Sequence, residues 1–119
     1  MRNPDNLHVL TRADALVLSL HRSPLRFHGR RAPGLHAQLL RAAGSIAFNI
    51  AEGAALEDRG FVRHLTIAIA SSNEAERQLR LANGLDLLGP DGDWQRREII
   101  EVRKMMLGLK KSVLRRLDL

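Results

Sequence analysis

Apolar residues recur along this 119-residue chain at spacings of three and four rather than two, which predicts helices and no paired strands. The first helix is expected over about residues 11–22. Thr11 followed by Asp14 makes a capping-box-like start, with Asp in place of Glu. Val9, Leu10, Ala13, Leu16, Val17 and Leu20 share one face, and Pro24 stops the helix. Two Pro and two Gly within SPLRFHGRRAPG mark a loop. The second helix is expected over 35–52, with Leu35, Leu39, Ala42, Ile46 and Ile50 as its core stripe and Gly53 as its stop. Its small residues, Ala42, Ala43, Gly44, Ser45, Ala47 and Ala51, let a neighbouring backbone come close and argue for a central position.

The third helix is expected over 58–88, capped by Asp58, with the stripe Phe61, Leu65, Ala68, Ser72, Ala75, Leu79 and Ala82. Gly84 falls inside that span and costs about 1 kcal/mol against Ala, so a bend or a close contact is expected there. GPDGD, residues 89–93, is a turn, and Asp93 caps a fourth helix over 93–117. The last three helices have short connections. The pattern therefore predicts one all-α domain over residues 1–119, an antiparallel up-down four-helix bundle around one core.

A bundle helix needs one apolar stripe, and the last two helices carry more. In the fourth, Ile99, Val102, Met106, Leu109, Val113 and Leu117 form the core stripe. Ile100, Leu107 and Leu114 recur every seven residues on a second line, about 100° away. In the third, Ile67, Leu81 and Leu85 lie opposite the core stripe. Such surplus apolar surface predicts burial by another copy, hence a homo-oligomer.

Polar residues interrupt this pattern. In SIAFNIAEG, residues 45–53, Ser45, Asn49 and Glu52 fall on one line. Glu76 leans toward the core stripe of the third helix, and Glu74 lies between Ile67 and Leu81. A buried carboxylate without a partner costs several kcal/mol. Ser45, Asn49, Glu52, Glu74 and Glu76 are therefore expected to form a buried polar network, with Arg41, Arg77 and Arg80 as further partners. It would lock helix register and, through Glu74, subunit pairing. An acid–base or ligand site is the alternative.

Composition narrows the chemistry. Apolar residues make up 45% of the chain, in the ordinary globular range. The absence of cysteine excludes disulfides and thiolate metal sites, and fits a cytoplasmic setting. No signal peptide is expected, nor any apolar run near the twenty or so residues that span a bilayer, so no membrane partner is expected. No glutamate is followed three residues on by histidine, and His8, His21, His28, His36 and His64 never pair at helical spacing. No nucleophile elbow, Walker sequence or dinucleotide fingerprint occurs. No catalytic residue, metal or cofactor is expected.

The net charge is +6, and 16 of the 19 cations are arginine. Residues 1–34 carry a net +4 and residues 90–119 a net +3, while the middle of the chain is close to neutral. Nucleic acid is the first partner such asymmetry suggests. The candidate residues lie on the fourth helix: Arg96, Arg103 and Lys110 between its two stripes, and Arg97, Lys104, Lys111 and Arg115 beyond them. Phe27, Phe48, Phe61 and Trp94 are the only aromatics, so phosphate contacts are a better-supported mode than base stacking.

The segments LLRAAGSIAFNIAEG, FVRHLTIAIASSNEAERQLRLANGLDLL and EIIEVRKMMLGLKKSV resemble the four-helix-bundle proteins first noticed as reading frames inside intervening sequences of bacterial 23S rRNA genes. The likeness runs from about Leu35 to Val113, with a looser match through the first helix. It rests on R-A-A-x-S-I-x-x-N-I-A-E-G and on E-x-E-x-Q-L, here Glu74, Glu76, Gln78 and Leu79. It implies a non-enzymatic bundle that assembles into a ring, usually a pentamer. The family is similar to the accessory proteins of diversity-generating retroelements, which bind a reverse transcriptase and nucleic acid. By that resemblance, either nucleic acid or a protein client is the expected partner, and Asn49, Glu52, Glu74 and Glu76 match the family's polar positions. One departure stands out: members usually place a basic residue three after the glycine matching Gly53, and a Ser or Thr cap soon after. Leu56 and Glu57-Asp58 stand there instead.

Overall fold

A computed structural model describes residues 2–3, 7–23 and 33–117. Four helices, and no strand among the described residues, follow one another: α1 (His8–His21), α2 (Pro33–Ala54), α3 (Asp58–Gly84) and α4 (Gly92–Leu117). Each packs on its neighbour in sequence, and α1 closes the set against α4. The core lies on the shared axis, where Leu16, Leu20, Leu39, Ile46, Ile50, Phe61, Leu65, Leu79, Ile99, Val102 and Met106 are fully buried. Every helix turns inward most of the stripe that its 3.6-residue period assigns; Leu117, expected in the core stripe of α4, is exposed at the last turn of the helix, past the end of the core.

Residues that meet across the bundle run in opposite senses. Ser45 meets Ser71 and Asn49 meets His64 between α2 and α3. Glu76 meets Arg103 and Asp58 meets Arg116 between α3 and α4. Arg12 meets Glu98 and Ser19 meets Gln95 between α1 and α4.

The helix ends differ from the sequence expectation, each for a local reason. α1 starts at His8, a turn before Thr11, and its N-cap Leu7 makes no side-chain cap bond. The amides of Leu10 and Thr11 bond the Leu7 carbonyl, and burial of Val9 and Leu10 pulls that extra turn onto the core. α1 ends at His21, before Pro24, which lies outside the described residues, as does most of the expected loop. α2 starts at Pro33, and proline suits the first turn of a helix because its missing N–H would have no intrahelical partner there. Gly53 does not stop α2. It is buried inside the helix where α2 and α3 nearly touch, and a Cβ there would lie 2.7 Å from the Cβ of His64.

Asp58 is the first residue of α3 rather than its cap; Glu57 holds the cap position without a side-chain bond. Asp93 likewise sits in the first turn of α4, which begins at Gly92. α3 ends at Gly84 and does not reach Leu88. Asp86 adopts a left-handed backbone (φ 56°). Its amide bonds the Asn83 carbonyl at 3.1 Å, and the Leu87 amide bonds the Ala82 carbonyl at 2.9 Å. This is a Schellman ending, with buried Leu87 as its apolar seal and Asp where glycine is usual.

Candidate functional site

Ser45, Asn49 and Glu52 do share one line of α2, but the partners they find are on α3 and were not foreseen. The Asn49 amide Nδ2 donates to the Ser45 carbonyl at 2.8 Å and to Ser45 Oγ at 3.1 Å. Its Oδ1 is left to accept from His64 Nδ1 at 2.9 Å. That assignment fixes the imidazole with its proton on Nδ1. Ser45 Oγ, already an acceptor from Asn49, shares a 2.8 Å bond with the Ser71 hydroxyl. His64 and Ser71 are two turns apart on α3, so both reach the same groove. The bonds run in sequence from imidazole to amide to two hydroxyls. Ser45 is therefore one residue removed from His64, and no Ser–His hydrogen bond forms.

The two carboxylates expected in this network are not buried. The Glu52 side chain is 70% exposed and reaches only to within 3.9 Å of His64 Nδ1. Glu74 is exposed and receives a long bond, 3.4 Å, from Gln78 Nε2. Both lie just beyond the groove, on the part of each helix that turns to solvent. Glu76 is half-buried but on the other side of α3, facing α4. Arg103 Nη1 approaches it to 2.5 Å as an ionic contact off the hydrogen-bonding axis, and Arg80 bonds it at 3.1 Å. The expected single network is thus two clusters on opposite flanks of α3. Arg41 and Arg77 are exposed.

A third cluster lay outside the sequence reading. Glu98 of α4 is buried, and Arg12 of α1 grips it with two bonds, 2.6 Å from Nε and 2.9 Å from Nη2. Hydrogen bonding to Glu98 raises Arg12 above the usual guanidinium range. Position 98 lies one helical turn from the core residues Gln95 and Val102, a signal that periodicity does carry.

The seven candidate cations of α4 divide by surroundings. Arg97, Lys104, Lys111 and Arg115 are exposed; Arg96, Arg103 and Lys110 are half-buried. Arg103 is committed to Glu76, and Lys104 makes a 3.5 Å pair with Glu101. Arg97 and Arg115 share one outer line of the helix. The second apolar stripes are open as well: Ile67 and Leu81 on α3, and Leu107 and Leu114 on α4, are exposed, while Ile100 is half-buried. Among the described residues no cluster of His, Asp or Glu could hold a metal ion, and no helix is long and apolar enough to cross a membrane.

Residues 5–108 match the family model described as 23S rRNA-intervening sequence protein. The chain belongs to the 23S rRNA-intervening sequence protein family. A solved structure of a protein of unknown function from Bacteroides thetaiotaomicron, of the S23 ribosomal protein family, shares the fold at a TM-score of 0.75. The two are 21% identical, over 92% of this chain and 99% of that one. Comparison with curated proteins gives no match.

The R-A-A-x-S-I-x-x-N-I-A-E-G stretch of this intervening-sequence protein gains a structural meaning. Ser45 and Asn49 build the polar groove, and Gly53 admits His64 and Phe61 against the α2 backbone. The departure after Gly53 also has a local account. Leu56 is exposed, and Asp58 is held by Arg116 at 3.2 Å and by Arg2. Arg2 further lies 4.3 Å from the centroid of the Phe61 ring. Burial first, and then the neighbouring Arg116, lower Arg2 from the usual guanidinium value. Cations from both ends of the chain thus gather at the α2–α3 junction.

Proposed function

We propose that this intervening-sequence protein is a non-enzymatic, antiparallel up-down four-helix bundle that closes with copies of itself into a ring, a pentamer by family resemblance, and binds structured nucleic acid. The opposed senses of the inter-helix pairs support the up-down order. The observation that carries the binding reading is the cationic outer line of α4, where Arg97 and Arg115 stand exposed with Lys104 and Lys111 beside them. Over those 18 residues the line is about 27 Å long, enough to follow several phosphates. The grip proposed is by charge and shape, through phosphate contacts. Each neutralised phosphate adds about −0.9 to the slope of log affinity against log salt on duplex DNA.

Anisotropy titrations of a labelled, structured RNA and of a DNA duplex across salt test this. Micromolar or tighter binding at low salt that weakens along such a slope supports it, and no binding even at low ionic strength refutes it. The hydrogen bonds around Ser45 support a structural role for that line, because its only imidazole is bonded to Asn49 rather than to a hydroxyl.

A second reading, an adaptor ring with a protein client such as a reverse transcriptase, is favoured by one feature. Phe48 is 73% exposed, on a 270 Å³ largely apolar groove lined also by Leu10, Asp14, Val17, Gly44, Ala47 and Ala51. A nuclease-insensitive complex with that enzyme that Phe48→Ser abolishes would support it.

A further inference from the structure

We infer that one copy of the chain meets the next through unlike helices: the Ile67–Glu74–Leu81 stripe of α3 lies along the Ile100–Leu107–Leu114 stripe of α4 in the adjacent copy, with Glu74 seated between Lys104 and Lys111. This rests on the self-assembly reading above and assigns it a surface.

The two stripes match in length and period. Each places a residue every seven positions over fourteen, about 21 Å, the repeat that keeps two packed helices in register. Ile67, Glu74 and Leu81 each follow by three the groove residues His64, Ser71 and Gln78, so they look outward beside α2. Ile100, Leu107 and Leu114 each follow by four the cations Arg96, Arg103 and Lys110, so they look outward beside α3. The exposed members of the two stripes leave 42–55% of their surface open. They are the unpartnered faces of otherwise well-buried helices.

Charge decides the partner. The α3 stripe has a carboxylate at its midpoint. The α4 stripe has a leucine at its midpoint, with Lys104 three residues before and Lys111 four after on one flank. Laid together in either direction, the midpoints coincide and Glu74 falls between the two ammonium groups. Like-on-like pairing is penalised: two α3 stripes would oppose carboxylates, and two α4 stripes would oppose lysines. The present partners are weak competitors, a 3.4 Å amide contact for Glu74 and an exposed 3.5 Å pair between Lys104 and Glu101. Because the joined surfaces differ and each copy carries both, the contact is head-to-tail and generates a closed ring where its rotation closes. Arg97 and Arg115, further round α4, remain outside it for a polyanion.

Light scattering coupled to size exclusion, at one protomer concentration and with helicity checked by circular dichroism, tests this. Glu74→Lys alone, and Lys104→Glu with Lys111→Glu, are each expected to weaken assembly at least tenfold and lower the mass. All three reversals together restore the wild-type mass, because the charges are exchanged. Folded single-face variants that keep the wild-type mass overturn this contact while leaving self-assembly standing, as does a folded triple variant that fails to recover. A wild-type monomer overturns both. Arg97→Glu with Arg115→Glu is expected to leave the mass unchanged and weaken RNA binding; a fall in mass instead overturns the assignment of the two surfaces.

Discussion

Asn49 joins α2 to α3 through His64, and Asn49→Leu breaks that link at modest cost in volume. The Ser45 carbonyl loses little, since helix geometry already supplies it with a backbone donor. The loss that counts is at His64, whose side chain is 15% exposed and whose Nδ1 proton is then aimed at a methyl group. A buried donor left without an acceptor costs about 1–3 kcal/mol. Residual exposure, and Glu52 at 3.9 Å as a substitute reached by a small ring rotation, bring the expected loss to about 1–2 kcal/mol. For a domain of this size that lowers the melting temperature by about 4–8 °C. Urea unfolding at fixed protomer concentration measures it, with helicity expected to stay native. His64→Leu in the same background supplies the control. Removing both polar groups leaves no orphan, so the double variant should recover about 1 kcal/mol relative to the sum of the singles. An unchanged urea midpoint for Asn49→Leu, or strictly additive effects, would refute the role assigned to this bond.

Gly53→Ala places a methyl 2.7 Å from His64 Cβ and 2.9 Å from Phe61 Cδ1. The first cannot swing aside, so a loss of about 1–3 kcal/mol is expected in urea unfolding, and a native midpoint would show that α2 and α3 are not locked there. Arg12→Met strands the buried Glu98 carboxylate. Arg12 is itself 40% exposed, so the loss falls below the fully buried range, at about 2–3 kcal/mol, and Glu98→Leu added to it should recover most of the loss. Equal stability of the single and double variants would count against the pair. Asp86→Gly relieves a left-handed backbone and is expected to raise stability by up to about 1 kcal/mol, seen as a higher melting temperature; a lower one would mean the Asp side chain stabilises the α3 ending.

The helices and their inward stripes were legible because burial repeats with the helix period, and all the buried apolar positions but Leu87, in the turn after α3, lie on the four helices. The exact ends were less so. Capping residues such as Thr11 and Asp58 signal where a helix can start, but burial of Val9 and Leu10 outweighed a cap, and Asp58 was drawn instead to Arg2 and Arg116. The polar site was half-legible. Ser45 and Asn49 were found because their spacing is local to one helix. His64 and Ser71 were missed because their relation to α2 is set by how two helices are rotated against each other. Glu52 and Glu74 were misplaced for the same reason: a face on a helical wheel does not say how far the neighbouring helix covers it.

Sequence alone determined four amphipathic helices, the family, the surplus apolar stripes and the basic α4, all of which follow from local spacing and side-chain type. Only the tertiary structure decided that Asn49 bonds His64, that Glu76 holds Arg103 and that Glu98 is buried under Arg12. Each of these depends on the rotation and axial shift of one helix against another, a global compromise of core packing that no single segment encodes.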